Sequence, residues 1–386
     1  MKKKSLFLLA AVAGLFASCS NEVLVDDQPT RTDVPKAIGF STYSDLATRA
    51  GTATDLEFYH NTFVVYGTKK STVDASDPVQ YVFGGDASTT AGNTAGTTVT
   101  FTSGASDPNE WTYSPYRYWD KQATYYFCAY APEAASLTFS YATAGNAVNN
   151  AANDFVTTAA YTLGGQNLQA TAATEAEILT GFTGETGKDC DMMVSDVVYE
   201  EGAAHSADVN LTFQHILAKL NVTVAKAAVL DGAVVNVKSI KIESLKDQGT
   251  FSNNDYDGGT YASGWDNIAY SSGDVTTSTY VLAYNGTETT LNASDGAKKY
   301  FIESLVMPQV IADGQSKLTI VYTITTGTGT NTHLEKYTAT VDMEDAFGSF
   351  FDRYSYTLNL TINPTVITFD AGVTAWTAFE KGIEIK

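Results

Sequence analysis

Leu318, Ile320 and Tyr322 alternate with Thr319, Val321 and Thr323, and that two-residue period belongs to a strand with one face buried. The signal returns from Leu56 onward in EFYHNTFVVYG, TYYFCAYAP, DMMVSDVVYE, DVNLTF, LAKLNVTVAK, VVNVKSIKIESL, STYVLAYN, YFIESLVMP and YSYTLNLTI, runs bounded by Gly, Asn, Asp or Ser. Only Ala172–Leu179 reads as a short helix. Many short strands separated by turn residues specify an all-β chain of sandwich type. At 386 residues the chain is longer than the roughly 250–300 residues at which a single core stops growing, so two domains are expected. Their junction is placed between Gly202 and Val209, which separates residues 50–205 from 206–376. Gly84–Gly104 and Ala134–Asn153 are nearly uncharged and rich in Gly, Ala, Thr and Asn, and read as long surface loops. A formal charge of −20 makes nucleic acid and anionic membrane surfaces poor partners.

The amino terminus is a different kind of segment. Lys2, Lys3 and Lys4 precede the apolar run LFLLAAVAGLF and the small residues Ala17 and Ser18, the layout of an export signal over residues 1–18 that is too short to span a bilayer. Cys19 follows at once, as in the lipobox of bacterial lipoproteins, where the thiol is lipidated; Phe16 stands where leucine is usual. The plainer alternative is an ordinary signal peptide with an incidental cysteine. Residues 19–36, with Pro29 and Pro35, read as a tether.

Between tether and strands lies AIGFSTYSDLATRA, residues 37–50. Ile38 and Phe40 fall on one side of an extended segment and Gly39, Ser41 and Tyr43 on the other. Leu46–Gly51 has no periodicity and holds Arg49 and Ala50 among small residues, an open connector at which a cut would detach the strand. Residues 37–49 are therefore read as a removable strand. At the other end, Phe379, Lys381, Ile383 and Ile385 repeat the alternating order of Val34, Lys36, Ile38 and Phe40, so residues 377–386 form a candidate replacement strand. The alternative is that Gly382–Lys386 is the last strand of its own domain.

Sharper chemistry finds little support. The histidines at 60, 205, 215 and 333 lack zinc-site spacing, and His215, flanked by apolar residues, reads as a core histidine. Asn253, Asp255, Asp257 and Gly258 resemble half of a calcium loop, but position 264, where the bidentate acid belongs, is Gly. The aromatic block from Trp111 to Tyr130 could be a glycan platform or, more simply, core. Cys128 and Cys190 lie among strand residues, as buried thiols or a disulfide. Phosphate loops and nucleophile elbows are missing from the sequence, so neither a metal, a cofactor nor an enzymatic reaction is expected.

Several phrases in order resemble the fimbrillin family, the major and accessory subunits of the type V pili of Bacteroidota. They are the lipobox followed by a strand and the Arg49–Ala50 pair; the aromatic block with Trp111, Pro115, Tyr118, Trp119, Phe127, Ala129, Tyr130 and Pro132; CDMMVSD at Cys190–Asp196; LTFQHILAKLNVTV with Phe213, His215, Leu217, Lys219 and Leu220; and the ending with Tyr354, Tyr356, Ile367, Phe369 and Trp376. The resemblance implies two transthyretin-like β-sandwich domains in tandem and export as a lipoprotein held at the outer membrane through Cys19. It further implies cleavage after Arg49 by an extracellular arginine-specific protease, and donor-strand exchange with copies of the chain or other pilus subunits in an extracellular fimbrium. Arg31 is a competing cleavage site, but a cut there would leave the strand attached. A host or bacterial surface receptor is a further implied partner. Two alternatives stay open: a tip or accessory adhesin of the same pilus, and a monomeric glycan-binding surface lipoprotein.

Overall fold

The alternating runs become strands in a computed structural model that describes residues 36–44, 61–74, 76–77, 80–84, 96–102, 110–131, 138–141, 157–162, 168–169, 192–202, 208–252, 264–270, 281–284, 288–291 and 299–375. In chain order the first half carries β1 (Phe40–Ser44), β2 (Thr62–Ser71), β3 (Gln80–Phe83), β4 (Thr97–Thr102), β5 (Glu110–Thr112), β6 (Ala123–Ala131), β7 (Thr138–Tyr141), β8 (Thr157–Thr162), β9 (Leu168–Gln169), β10 (Met193–Ser195), β11 (Val198–Glu201) and β12 (Val209–His215). The second half carries β13 (Ala218–Lys226), β14 (Val234–Glu243), β15 (Gln248–Ser252), β16 (Trp265–Ala269), β17 (Val281–Tyr284), β18 (Thr289–Leu291), β19 (Lys299–Val306), β20 (Gln309–Val310), β21 (Lys317–Thr326) and β22 (His333–Asp342). The helix α1 (Met343–Phe347) and strands β23 (Ser349–Phe350), β24 (Tyr354–Ile362) and β25 (Ile367–Ala375) complete it.

β1 forms one edge of a nine-stranded sheet ordered β1-β12-β10-β6-β2-β4-β5, with β11 against β6 and β3 against β2. The rest form sheets ordered β19-β13-β24-β25, β22-β21-β14-β17-β9 with β18 on β14, β16-β15-β8-β7, and the pair β20-β23. The described residues are thus all-β apart from short helical turns.

Two cores lie on opposite faces of the nine-stranded sheet. Along β2, Phe63 and Val65 enter one and Val64 and Tyr66 the other; along β6, Tyr125, Phe127 and Ala129 divide in the same way from Cys128 and Tyr130. The smaller core gathers Ile38 and Phe40 with Val209, Leu211 and Phe213. The larger runs on into the second half through Leu220 and Val222 of β13, Ile240 of β14, Ile320 of β21 and Leu358 of β24. The unbroken apolar runs Phe63–Tyr66 in β2 and Tyr125–Ala131 in β6 are what a sheet covered on both faces requires.

Strand pairing bears on several of the sequence expectations. The expected junction between residues 205 and 206 precedes β12, yet β12 pairs with β10 and β1 of the first sheet. The change of sheets falls instead at Ile216–Leu217, both fully buried, so no polar turn marks it. The two long loops contain β4 and β7, because β-branched TTVTFT and aromatic TFSY pair once neighbours are in reach. Strands β7, β8 and β9 leave the first sheet to pair with β15 and β17. Ala172–Leu179 lies outside the described residues. The helix α1 is built from Asp342, whose carboxylate accepts from the Glu344 amide at 3.1 Å, and ends at Gly348, whose φ of 67° suits glycine.

The groove that holds the first strand

β1 runs parallel to β12 with Phe40 opposite Val209, Thr42 opposite Leu211 and Ser44 opposite Phe213. Parity fixes which side chains go inward: Ile38, Phe40 and Thr42 are 1%, 4% and 3% exposed, while Ser41 turns outward and its Oγ meets Asn210 Oδ1. The alternation read from the sequence therefore describes the bound segment.

Phe40 is the anchor. Its ring meets Phe63, Phe83, Tyr113 and Phe127 edge-on, with centroids 5.9, 5.4, 5.7 and 6.1 Å away, the arrangement that aromatic quadrupoles favour. Complete burial of side chains such as Ile38 and Phe40 contributes about 1.5–3 kcal/mol each. A Cβ at Gly39 would lie 2.1 Å from the side-chain Oδ1 of Asp208, which would have to move aside, and the Val209 amide donates to the Gly39 carbonyl at 2.9 Å.

The two ends of β1 are held differently. At its start, Ala37 bridges Tyr118, the Ile38 amide donates to the Arg117 carbonyl at 2.9 Å, and the Tyr113 hydroxyl donates to the Ile38 carbonyl at 2.7 Å. Residues 37–39 thus sit between β12 on one side and residues 113–118 on the other. From Phe40 to Ser44 the ladder is with β12 alone among the described residues.

The 113–122 wall is itself braced. The Arg117 amide donates to Tyr113 Oη at 3.2 Å and its Nε to the Val82 carbonyl at 3.1 Å. The Asp120 amide donates to Tyr125 Oη at 2.6 Å, and Lys69 Nζ lies 3.1 Å from the Asp120 carboxylate. A Cβ at Gly202 would fall 2.0 Å from the Asp120 carbonyl oxygen, so only glycine lets the end of β11 back this turn. Burial pushes the Tyr113 phenol above its ordinary 10.0, partly opposed by Arg117, and burial likewise raises Tyr125. The hydroxyl that clasps Ile38 is therefore a donor at neutral pH.

The structure brings together Ile38, Phe40 and most of the aromatic block. Tyr113, Trp119, Tyr125, Phe127 and Tyr130 are buried, whereas Tyr116 and Tyr118 are 56% and 55% exposed. His215 is buried at the end of β12, Cys128 is buried in the larger core, and His333 is exposed beside Glu335. Cys19, Arg49, Ala50, Cys190, His60, His205, the Asn253–Gly258 turn, and Phe379, Ile383 and Ile385 lie outside the described residues. Sequence reasoning missed Val209, Leu211 and Tyr113 as the strand's hosts. Alternation marks the first two as inward-facing in DVNLTF, but nothing in sequence pairs them with residues 169 or more positions away.

A model of the fimbrillin-like family matches residues 48–376, a span that begins shortly after β1. Among solved structures, a fimbrial protein from Bacteroides vulgatus is 16% identical, with a TM-score of 0.53 over 88% of this chain and 99% of that one. A candidate cell adhesion protein from Bacteroides uniformis is 17% identical, with a TM-score of 0.42 over 91% of this chain and 100% of that one. No curated protein is significantly similar.

Proposed function

The chain belongs to the fimbrillin-like family, and from that membership and the bound edge strand we propose that it is a structural subunit of a cell-surface fimbria. The observation that carries the reading is β1 itself, a short segment on a sheet edge that fills an apolar groove through Ile38 and Phe40. The connector after it contains Arg49. In this reading the chain is exported as a lipoprotein through Cys19, and a protease outside the cell cuts between Arg49 and Ala50. Residues up to Arg49 then leave, which exposes the β12 edge and the pocket around Phe63, Phe83 and Phe127. An edge of that kind takes up another strand readily. A neighbouring subunit supplies it by donor-strand exchange, and the segment with Phe379, Ile383 and Ile385 is our candidate donor.

Treating the purified precursor with an arginine-specific protease tests the reading. SDS-resistant ladders are expected from the intact chain and from neither an Arg49→Ala variant nor a chain truncated after Ala378. Ladders from the truncated chain would remove the tail as donor, and a monomer from the intact chain would overturn the reading. In a tip or accessory adhesin the cut chain would cap a filament without extending it.

A further inference from the structure

The groove's occupant is imperfect at one position. β12 presents Val209, Leu211 and Phe213 inward, each with no exposed surface. Opposite them β1 presents Phe40 and then Thr42, and the buried Thr42 hydroxyl has no hydrogen-bond partner among the described residues. A buried hydroxyl with no partner carries its desolvation cost uncompensated. Thr42 also lies in the half of β1 that is held on one edge only, past the clasp made by Tyr113 and Arg117. The least favourable side chain and the least supported backbone therefore coincide.

We infer that Thr42 is where the groove gives up β1, and that the strand which replaces it carries an aliphatic side chain in the Thr42 position. This rests on the fimbrial reading for the replacement, though not for the weak point. Phe40 and the clasp keep the precursor closed, while the Thr42–Ser44 end opens first and offers a competing strand its starting place. A competitor that meets Leu211 with a methyl group instead of a hydroxyl gains at the one site where β1 is poorest, so exchange runs toward it even with the ladder unchanged. The partner this groove selects is an extended segment with apolar residues at the Phe40 and Thr42 positions, as Ile383 and Ile385 of the candidate tail would be when seated two positions on from their sequence match with Ile38 and Phe40.

The test begins with hydrogen exchange on the full-length precursor. Valine matches threonine in shape and lacks only the hydroxyl, so Thr42→Val is expected to raise amide protection over residues 40–44 roughly five- to hundredfold. Thr42→Ser is expected to show no gain. An unchanged or lower protection in Thr42→Val overturns the inference. In a second arm, protein cut after Arg49 is offered the synthetic peptide AIGFSTYS or the same peptide with valine at the sixth position. Tighter capture of the valine peptide and slower assembly of the Thr42→Val precursor are expected. Equal capture of both peptides by a wild-type protein that still assembles overturns the inference and leaves the fimbrial reading standing. A gain in protection without assembly of any cut form leaves the weak point standing and removes the fimbrial reading.

Discussion

Among the described residues three strand pairs are parallel and long-range, and the two longer ones, β1 with β12 and β13 with β24, are built in opposite ways. β1 lies against β12 over five positions at the edge of its sheet. β13 lies against β24 over eight positions, Lys219–Lys226 with Ser355–Ile362, and each of these strands has a further antiparallel neighbour, β19 and β25. Side chains reinforce the second pair: Thr223 Oγ1 donates to Asn359 Oδ1 at 2.8 Å, and Lys219 meets Glu303 of β19 at 2.6 Å. The first pair has one anchoring ring, the single Ser41–Asn210 side-chain bond, a clasp at one end and, near the other, a hydroxyl with no partner among the described residues. Removing β24 would dismantle the middle of a sheet, whereas removing β1 shortens a sheet by its last member. Edge position and one-sided support are what make a strand separable; parallel pairing alone does not.

Phe40→Ala should produce the largest effect on this contrast. Loss of a buried aromatic costs about 3–5 kcal/mol, and the loss should appear as faster exchange along β1 and β12 while β13 and β24 keep their protection. Equal loosening of both regions would break the distinction. Leu358→Ala, in the larger core, should cost about 2–5 kcal/mol and lower the melting temperature of the entire fold, because a central strand cannot open alone. Tyr113→Phe removes the bond to the Ile38 carbonyl and should weaken β1 by about 1 kcal/mol, read as faster exchange of residues 37–39 with no change at β24. The smallest effect is alkaline. The Tyr113 phenol is raised by burial, so its contribution is complete below the ordinary 10.0 and is lost as pH climbs through the raised value. The difference in phenolate absorbance between wild type and Tyr113→Phe should show ionisation delayed beyond pH 10; ionisation at 10 would place that ring outside the groove.

Much of this was legible because it is local. The period of two along Ile38 and Phe40, and the repeated strand runs, depend only on near neighbours in sequence. What was hidden is mostly partnership. Nothing in AIGFSTYS names β12 as its host, and nothing in LTFQHILAKL shows a change of sheets, because Ile216 and Leu217 are as apolar as the strands around them. Thr42 keeps the parity of Ile38 and Phe40, and only the all-apolar row of Val209, Leu211 and Phe213 shows how ill it fits. The cap of α1 is written in Asp342 with Gly348 six residues on, but a five-residue helix is too short to show a helical period.

The parallel register has a mechanical meaning. Tension applied lengthwise to whatever occupies the groove must shear every rung from the Phe40 position to the Ser44 position together, while a sideways tug at the Ser44 end unzips them singly. A filament joined through this seat would be strong when stretched lengthwise and weak when peeled.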